Sequence, residues 1–155
     1  AKDMDENSYK ALLKQAGMEH IIPHSFADAA AELGYKRIHM PLQKLTEQPS
    51  LTDHFDVSVS IHSLKQLKVA EALGVCAVTA GHVFETACKD GLPGRGLNFI
   101  RKIKAYSSVP VYAIGGISPE NAASVIEAGA DGVCVMSGFM RCGDISEYLR
   151  KFKLH

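Results

Sequence analysis

Six times along this chain a short apolar run is followed by a loop and then by a helical pattern. That alternation constrains the fold more than any other feature. The runs are "HIIPH" (20–24), "RIHMP" (37–41), "DVSVSIH" (56–62), "VCAVTAGHVF" (75–84), "VPVYAIGGI" (109–117) and "GVCVMSG" (132–138). Strands alternating with helices imply βαβ units and a parallel sheet. The runs read as continuously apolar, as strands covered on both faces should be. A doubly wound sheet fits six strands, whereas a (β/α)8 barrel needs eight and typically about 250 residues. With 155 residues, the chain is read as one α/β domain over 1–155.

Local signals place the helices. Ser25, Ser63 and Ser118 stand where they can cap, and Gly34, Gly74 and Gly129 where they can stop a helix. Pro119 suits a first helical position. The segment 5–17, "DENSYKALLKQAG", has helical spacing but no strand before it.

Charge and cysteine content exclude several classes. Lys+Arg and Asp+Glu both number 17, so the formal net charge is zero and no global field draws nucleic acid or an anionic membrane. No apolar run approaches the roughly 18 residues of a membrane span, and no signal peptide is visible. Cys76, Cys88, Cys134 and Cys142 form no C-x-x-C pair. They read as reduced thiols of a cytoplasmic protein rather than as zinc ligands.

The polar residues that could do chemistry gather at strand ends. Gly115 and Gly116 close a strand just before a helix, where backbone N–H groups suit a phosphate. The same pair also suits a plain tight turn. "VMSG" (135–138) ends the next strand, bringing Met136 and Ser137. In (β/α)8 barrels the loops after the last two strands often hold phosphate, so the two loops support each other. His82 follows "VTAG", which puts a group able to pass protons near neutral pH at a strand end. Thr86, Cys88 and Lys89 follow it with a hydroxyl, a thiol and a cation. Lys89 reads equally as a solvated surface lysine, and Cys88 has no evident base beside it. His24 and His62 also close strands. Three such histidines could hold a metal, but they serve equally as hydrogen-bonded scaffold, and no metal is expected.

The stretch from "SVSIHSLKQLKVAEALGVCAVTAGHVFETACKDGLPGRGL" to "VPVYAIGGISPENAASVIEAGADGVCVMSG" resembles the thiamine phosphate synthase superfamily. The resemblance runs over about residues 20–140. It implies a TIM (β/α)8 barrel, here lacking strands 1 and 2. "AKDMDENSYKALL" is similar to the segment just after strand two. Synthases of this superfamily carry G-P-[IV]-[FY]-P-T-x-T-K, where this chain has "GHVFETACK". That pattern resembles the TenI branch, the thiazole tautomerases. The synthases' Asn-Asp pair is replaced here by His24-Ser25, and no aspartate follows His39-Met40-Pro41.

The resemblance therefore implies isomerisation of a carboxythiazole phosphate to its aromatic tautomer. His82 would be the proton shuttle. Gly115, Gly116, Met136 and Ser137 would lie on the phosphate, and Thr86, Cys88 and Lys89 at the carboxylate end. His62 and His24 are possible accessories. No cofactor is implied, Mg²⁺ entering only for the synthase alternative. A non-catalytic binder of thiazole phosphates is the other alternative. The partner is a small thiazole phosphate, not nucleic acid or a membrane. Six strands leave two open edges, so either a homo-oligomer or an N-terminal segment completing the barrel is expected.

Overall fold

The computed structural model describes residues 4–16, 20–86 and 92–152. Five parallel strands are formed: β1 (Arg37–Pro41), β2 (Asp56–Ile61), β3 (Ala77–Gly81), β4 (Val111–Ile114) and β5 (Gly132–Cys134). Each pairs with its neighbour in sequence, so the order is β1-β2-β3-β4-β5 without a reversal. A doubly wound sheet reverses its strand order at a switch point. The unreversed order makes this sheet an arc of a (β/α)8 barrel. Among the described residues the arc does not close.

The helices are α1 (Glu6–Ala16), α2 (Ala27–Glu32), α3 (Leu42–Glu47), α4 (Leu64–Ala72), α5 (Gly96–Tyr106), α6 (Ala122–Glu127), α7 (Ser137–Arg141) and α8 (Ile145–Arg150). A 3-10 turn at Pro49–Asp53 links α3 to β2.

Several expectations need correction. "HIIPH" is not a strand; only His24 makes a bridge, to His39 of β1. Pro23 lacks an N–H, and the chain turns at Ser25, whose φ is +70°. Ser25 therefore does not cap α2, which starts after Phe26 with no side-chain cap. Ser118 and Pro119 do not open α6 either. They lie in a turn in which the Ser118 N–H donates to Asn121 Oδ1, and the helix starts at Ala122. Ser63 does cap α4, accepting from the Gln66 N–H. Gly34, Gly74 and Gly129 follow their helices with φ of +78°, +77° and +100°, the left-handed geometry of helix ends.

The sheet is also not apolar on both faces. Ile38, Met40, Val57, Val59, Ile61, Val78, Val111 and Ala113 point outward and are fully buried. Leu45 of α3, Leu67 of α4, Ile100 and Ile103 of α5 and Val125 of α6 belong to the same core cluster. Burying each such side chain contributes roughly 1.5–3 kcal/mol. Alternate positions carry His39, Ser58, Ser60 and Thr79, and they line a concavity of about 660 Å³ on the inner face. The β2 burial pattern alternates strictly between buried and less buried residues, as a half-polar strand must.

Candidate functional site

A second cavity, of about 430 Å³, opens where β2, β3, β4 and β5 end. Its walls are the residues just past each strand: His62 after β2, His82, Glu85 and Thr86 after β3, Gly115 to Ser118 after β4 and Val135 to Gly138 after β5. Parallel strands of one register bring these loops together. Gly81 pairs with Ile114, and Ile114 with Cys134, so all three strands end at one level. Barrel enzymes place their chemistry on this face.

His82 is 8% exposed. Its Nε2 lies 3.3 Å from the Leu92 carbonyl oxygen and 3.1 Å from that of Pro93. Carbonyls only accept, so Nε2 carries the proton in the neutral ring. Among the described residues no hydrogen bond engages Nδ1. The lone pair able to take a proton is therefore on Nδ1.

The backbone around His82 is held from two sides. The Val83 N–H donates to the Ile114 carbonyl and the Phe84 N–H to the Gly115 carbonyl. The Arg95 N–H donates to the His82 carbonyl and the Gly96 N–H to that of Val83. This clamping explains the glycine pair. A Cβ on Gly115 would lie 2.4 Å from His82 Cβ, and one on Gly116 2.5 Å from the Glu85 carbonyl oxygen. Both glycines also have positive φ, +104° and +65°. The pair is thus required for the chain to cross above it, whatever else it binds.

His62 donates from Nδ1 to the Gly81 carbonyl at 2.7 Å, and its own N–H donates to Gln66 Oε1. It shares the cavity with His82, Thr86, Gly115, Gly116, Met136 and Ser137. Cys88 and Lys89 lie outside the described residues. His24 does not line this cavity. It stands beside His39, with ring centroids 5.6 Å apart. Among the described residues no three His, Cys, Asp or Glu groups could hold a metal ion together.

The chain matches the family described as thiamine monophosphate synthase (TMP-TENI) over residues 6–139. It belongs to this family. A thiamine-phosphate synthase of Pyrococcus furiosus is 36% identical over 115 residues, covering 72% of this chain and 54% of the relative. One of Bacillus velezensis is 33% identical over 143 residues, covering 90% and 63%. The chain thus spans a little over half the length of these curated relatives. A solved thiamine phosphate pyrophosphorylase from P. furiosus superposes with a TM-score of 0.81 at 26% identity, covering 98% of this chain and 77% of that one.

Against this family frame, several cavity residues were not singled out from sequence. Cys134 faces the cavity, and burial raises its thiol pKa, which keeps it protonated. Glu85, Arg141 and Tyr148 also line it. Arg141 had a readable signal: it lies four residues after Ser137, the spacing of one helical face. The helix itself, α7, is too short for periodicity to show. No described helix is long and apolar enough to cross a membrane.

Proposed function

We propose that this chain forms the principal wall of a thiazole tautomerase site, with His82 moving the proton. The observation carrying this reading is the hydrogen bonding of His82. With Nε2–H held by two carbonyls, Nδ1 stands as the base at the cavity. It takes a proton from one ring position, and the imidazolium returns one at another, so the protons balance. The substrate is a carboxythiazole phosphate. Its phosphate would rest at Gly115, Gly116, Met136 and Ser137. Its carboxylate would meet the Thr86 side, with Cys88 and Lys89 beyond. His62 and His24 would serve only as accessories. The reaction needs no metal or redox cofactor.

The names of the relatives favour a second reading, a thiamine-phosphate synthase that joins a thiazole phosphate to a pyrimidine pyrophosphate. That reaction calls for Mg²⁺, a hard cation that prefers carboxylate oxygens. At the end of β1 this chain offers Met40 and Pro41, with His39 mid-strand, and His24 adjoins Ser25. This donor set fits Mg²⁺ poorly. Both readings imply a cytoplasmic enzyme whose barrel is completed by an N-terminal segment or a second copy.

Two assays on the intact protein carrying this sequence decide between them. Turnover of the non-aromatic thiazole tautomer is expected without added metal. Titration calorimetry with Mg²⁺, with and without pyrophosphate, is expected to show no micromolar site. Micromolar Mg²⁺ binding with synthase turnover would replace the tautomerase reading by the second one. Ligand binding without turnover of either substrate set would leave a non-catalytic binder.

A further inference from the structure

We infer that Arg141, with the hydroxyl of Tyr148, is the charge partner that selects a phosphate monoester at this cavity. The inference rests on the reading of the cavity as a phosphate-ester site and adds a residue pair that the strand-end loops do not contain.

Backbone N–H groups can orient a phosphate, but they do not neutralise a dianion. Among the described residues Arg141 is the only Lys or Arg lining the cavity. Its Nε donates to the Ser137 carbonyl at 3.1 Å. That bond fixes the guanidinium beside the loop that follows β5 and leaves its terminal nitrogens as donors. No carboxylate among the described residues pairs with it; the ion pairs formed are Lys10 with Glu6 and Glu32, Lys104 with Asp131, and Lys151 with Glu147. A planar guanidinium with unengaged N–H groups is suited to two phosphate oxygens.

Tyr148 supports the same end. A Cβ on Gly138 would lie 2.0 Å from the Tyr148 hydroxyl oxygen. The absent side chain at Gly138 is thus what admits the hydroxyl to the cavity. The ring is set by edge contacts with Phe139 at 5.2 Å and Phe152 at 5.4 Å. Arg141 thus lies beside Ser137 and the Tyr148 hydroxyl beside Gly138, both lining the cavity. Glu85, the one carboxylate at the cavity among the described residues, comes from the loop after β3. A dianion is drawn toward the Arg141 end and away from Glu85.

The test uses the intact protein and two probes, inorganic phosphate and the aromatic carboxythiazole phosphate. The variants are Arg141→Gln, Arg141→Lys and Tyr148→Phe, with Arg150→Gln as the charge-matched control because Arg150 does not line the cavity. Charge-assisted hydrogen bonds at a partly exposed site predict about tenfold weaker binding of both probes in Arg141→Gln. Partial recovery is expected in Arg141→Lys and a few-fold loss in Tyr148→Phe. The dephosphorylated thiazole alcohol should bind Arg141→Gln and wild type alike. Equal phosphate affinity in Arg141→Gln and Arg150→Gln would overturn the inference, as would a wild type that does not bind phosphate saturably. Phosphate binding that depends on Arg141, in a protein without tautomerase turnover, would sink the tautomerase reading and leave this one standing. Tautomerase turnover with phosphate affinity indifferent to Arg141 would do the reverse.

Discussion

His39 and His82 are both largely enclosed, yet their surroundings give them opposite capacities. His39 sits mid-strand on the inner face of the sheet. Its Nδ1 and Nε2 lie 2.9 Å from the hydroxyls of Ser58 and Ser60 respectively. Ser58 also donates to the Ile38 carbonyl, so its oxygen is left to accept from Nδ1–H. Both ring nitrogens are thereby occupied. Burial, and secondarily the neighbouring His24, lower its pKa to about 4. His82 instead has one nitrogen tied to backbone carbonyls and, among the described residues, no hydrogen bond on the other. One histidine has both nitrogens fastened into a wall, and the other has one nitrogen open. Residue type alone does not separate scaffold from the proposed shuttle; the partners of each nitrogen do.

The largest effect should come from removing the lone pair at the mouth. His82→Asn keeps polarity and bulk but cannot titrate. In the completed barrel it is expected to lower the tautomerisation rate by about 10²–10⁴-fold, the usual worth of a general acid/base group. Affinity for the aromatic product phosphate should stay nearly unchanged, because the proposed phosphate end lies on other loops. A folded His82→Asn variant with full activity would erase the contrast and make His62 the next candidate. His39→Gln, by comparison, should leave the rate within a few-fold of wild type.

Next is the packing that holds the mouth. Gly115→Ala combines a left-handed backbone at φ +104° with a contact of 2.4 Å to His82 Cβ. Strain and overpacking together predict about 3 kcal/mol of destabilisation, readable as a lower urea midpoint. Activity should fall with it, since relieving the clash moves His82. An alanine variant of wild-type stability and rate would show that the crossing of chains above the glycine pair is not needed.

The smallest effect concerns the wall. The folded pKa of His39 lies below the ordinary value of 6.5. The unfolded chain therefore binds more protons between about pH 6.5 and pH 4. The sign follows directly: stability is full above 6.5 and falls as pH drops through that window. The loss by pH 4 should be on the order of 2 kcal/mol. His39→Gln should flatten that part of the curve. A wild-type curve that is flat from pH 6.5 to 4 would mean that His39 protonates freely and that the wall is wetter than described.

Five of the six expected βα alternations were legible in the sequence because each buried strand must be apolar on its core face and each helix must begin and stop; "HIIPH" reads as a strand but does not form one. Gly34, Gly74 and Gly129 marked helix ends because few other residues accept their backbone angles. Ser63 was legible as a cap, but Ser25 and Ser118 were not distinguishable from it. Whether such a serine caps depends on whether the chain arrives extended, and that is set by contacts elsewhere, such as the Ser25 N–H on the His39 carbonyl. The strand ends bearing His62, His82, Gly115, Gly116, Met136 and Ser137 could also be read off the chain. Their convergence could not, because strand order and register are non-local.

The sequence by itself thus determined the βα alternation, the family pattern and the candidate proton carrier, all properties of neighbouring residues along the chain. Only the tertiary structure decided that the strands run in unreversed order and that the inner face of β1 to β3 carries His39, Ser58, Ser60 and Thr79. It also decided which nitrogen of His82 is tied to backbone carbonyls and that Arg141 and Tyr148 meet Ser137 and Gly138. These depend on which distant groups share a hydrogen bond or exclude one another's atoms, and no local pattern encodes that.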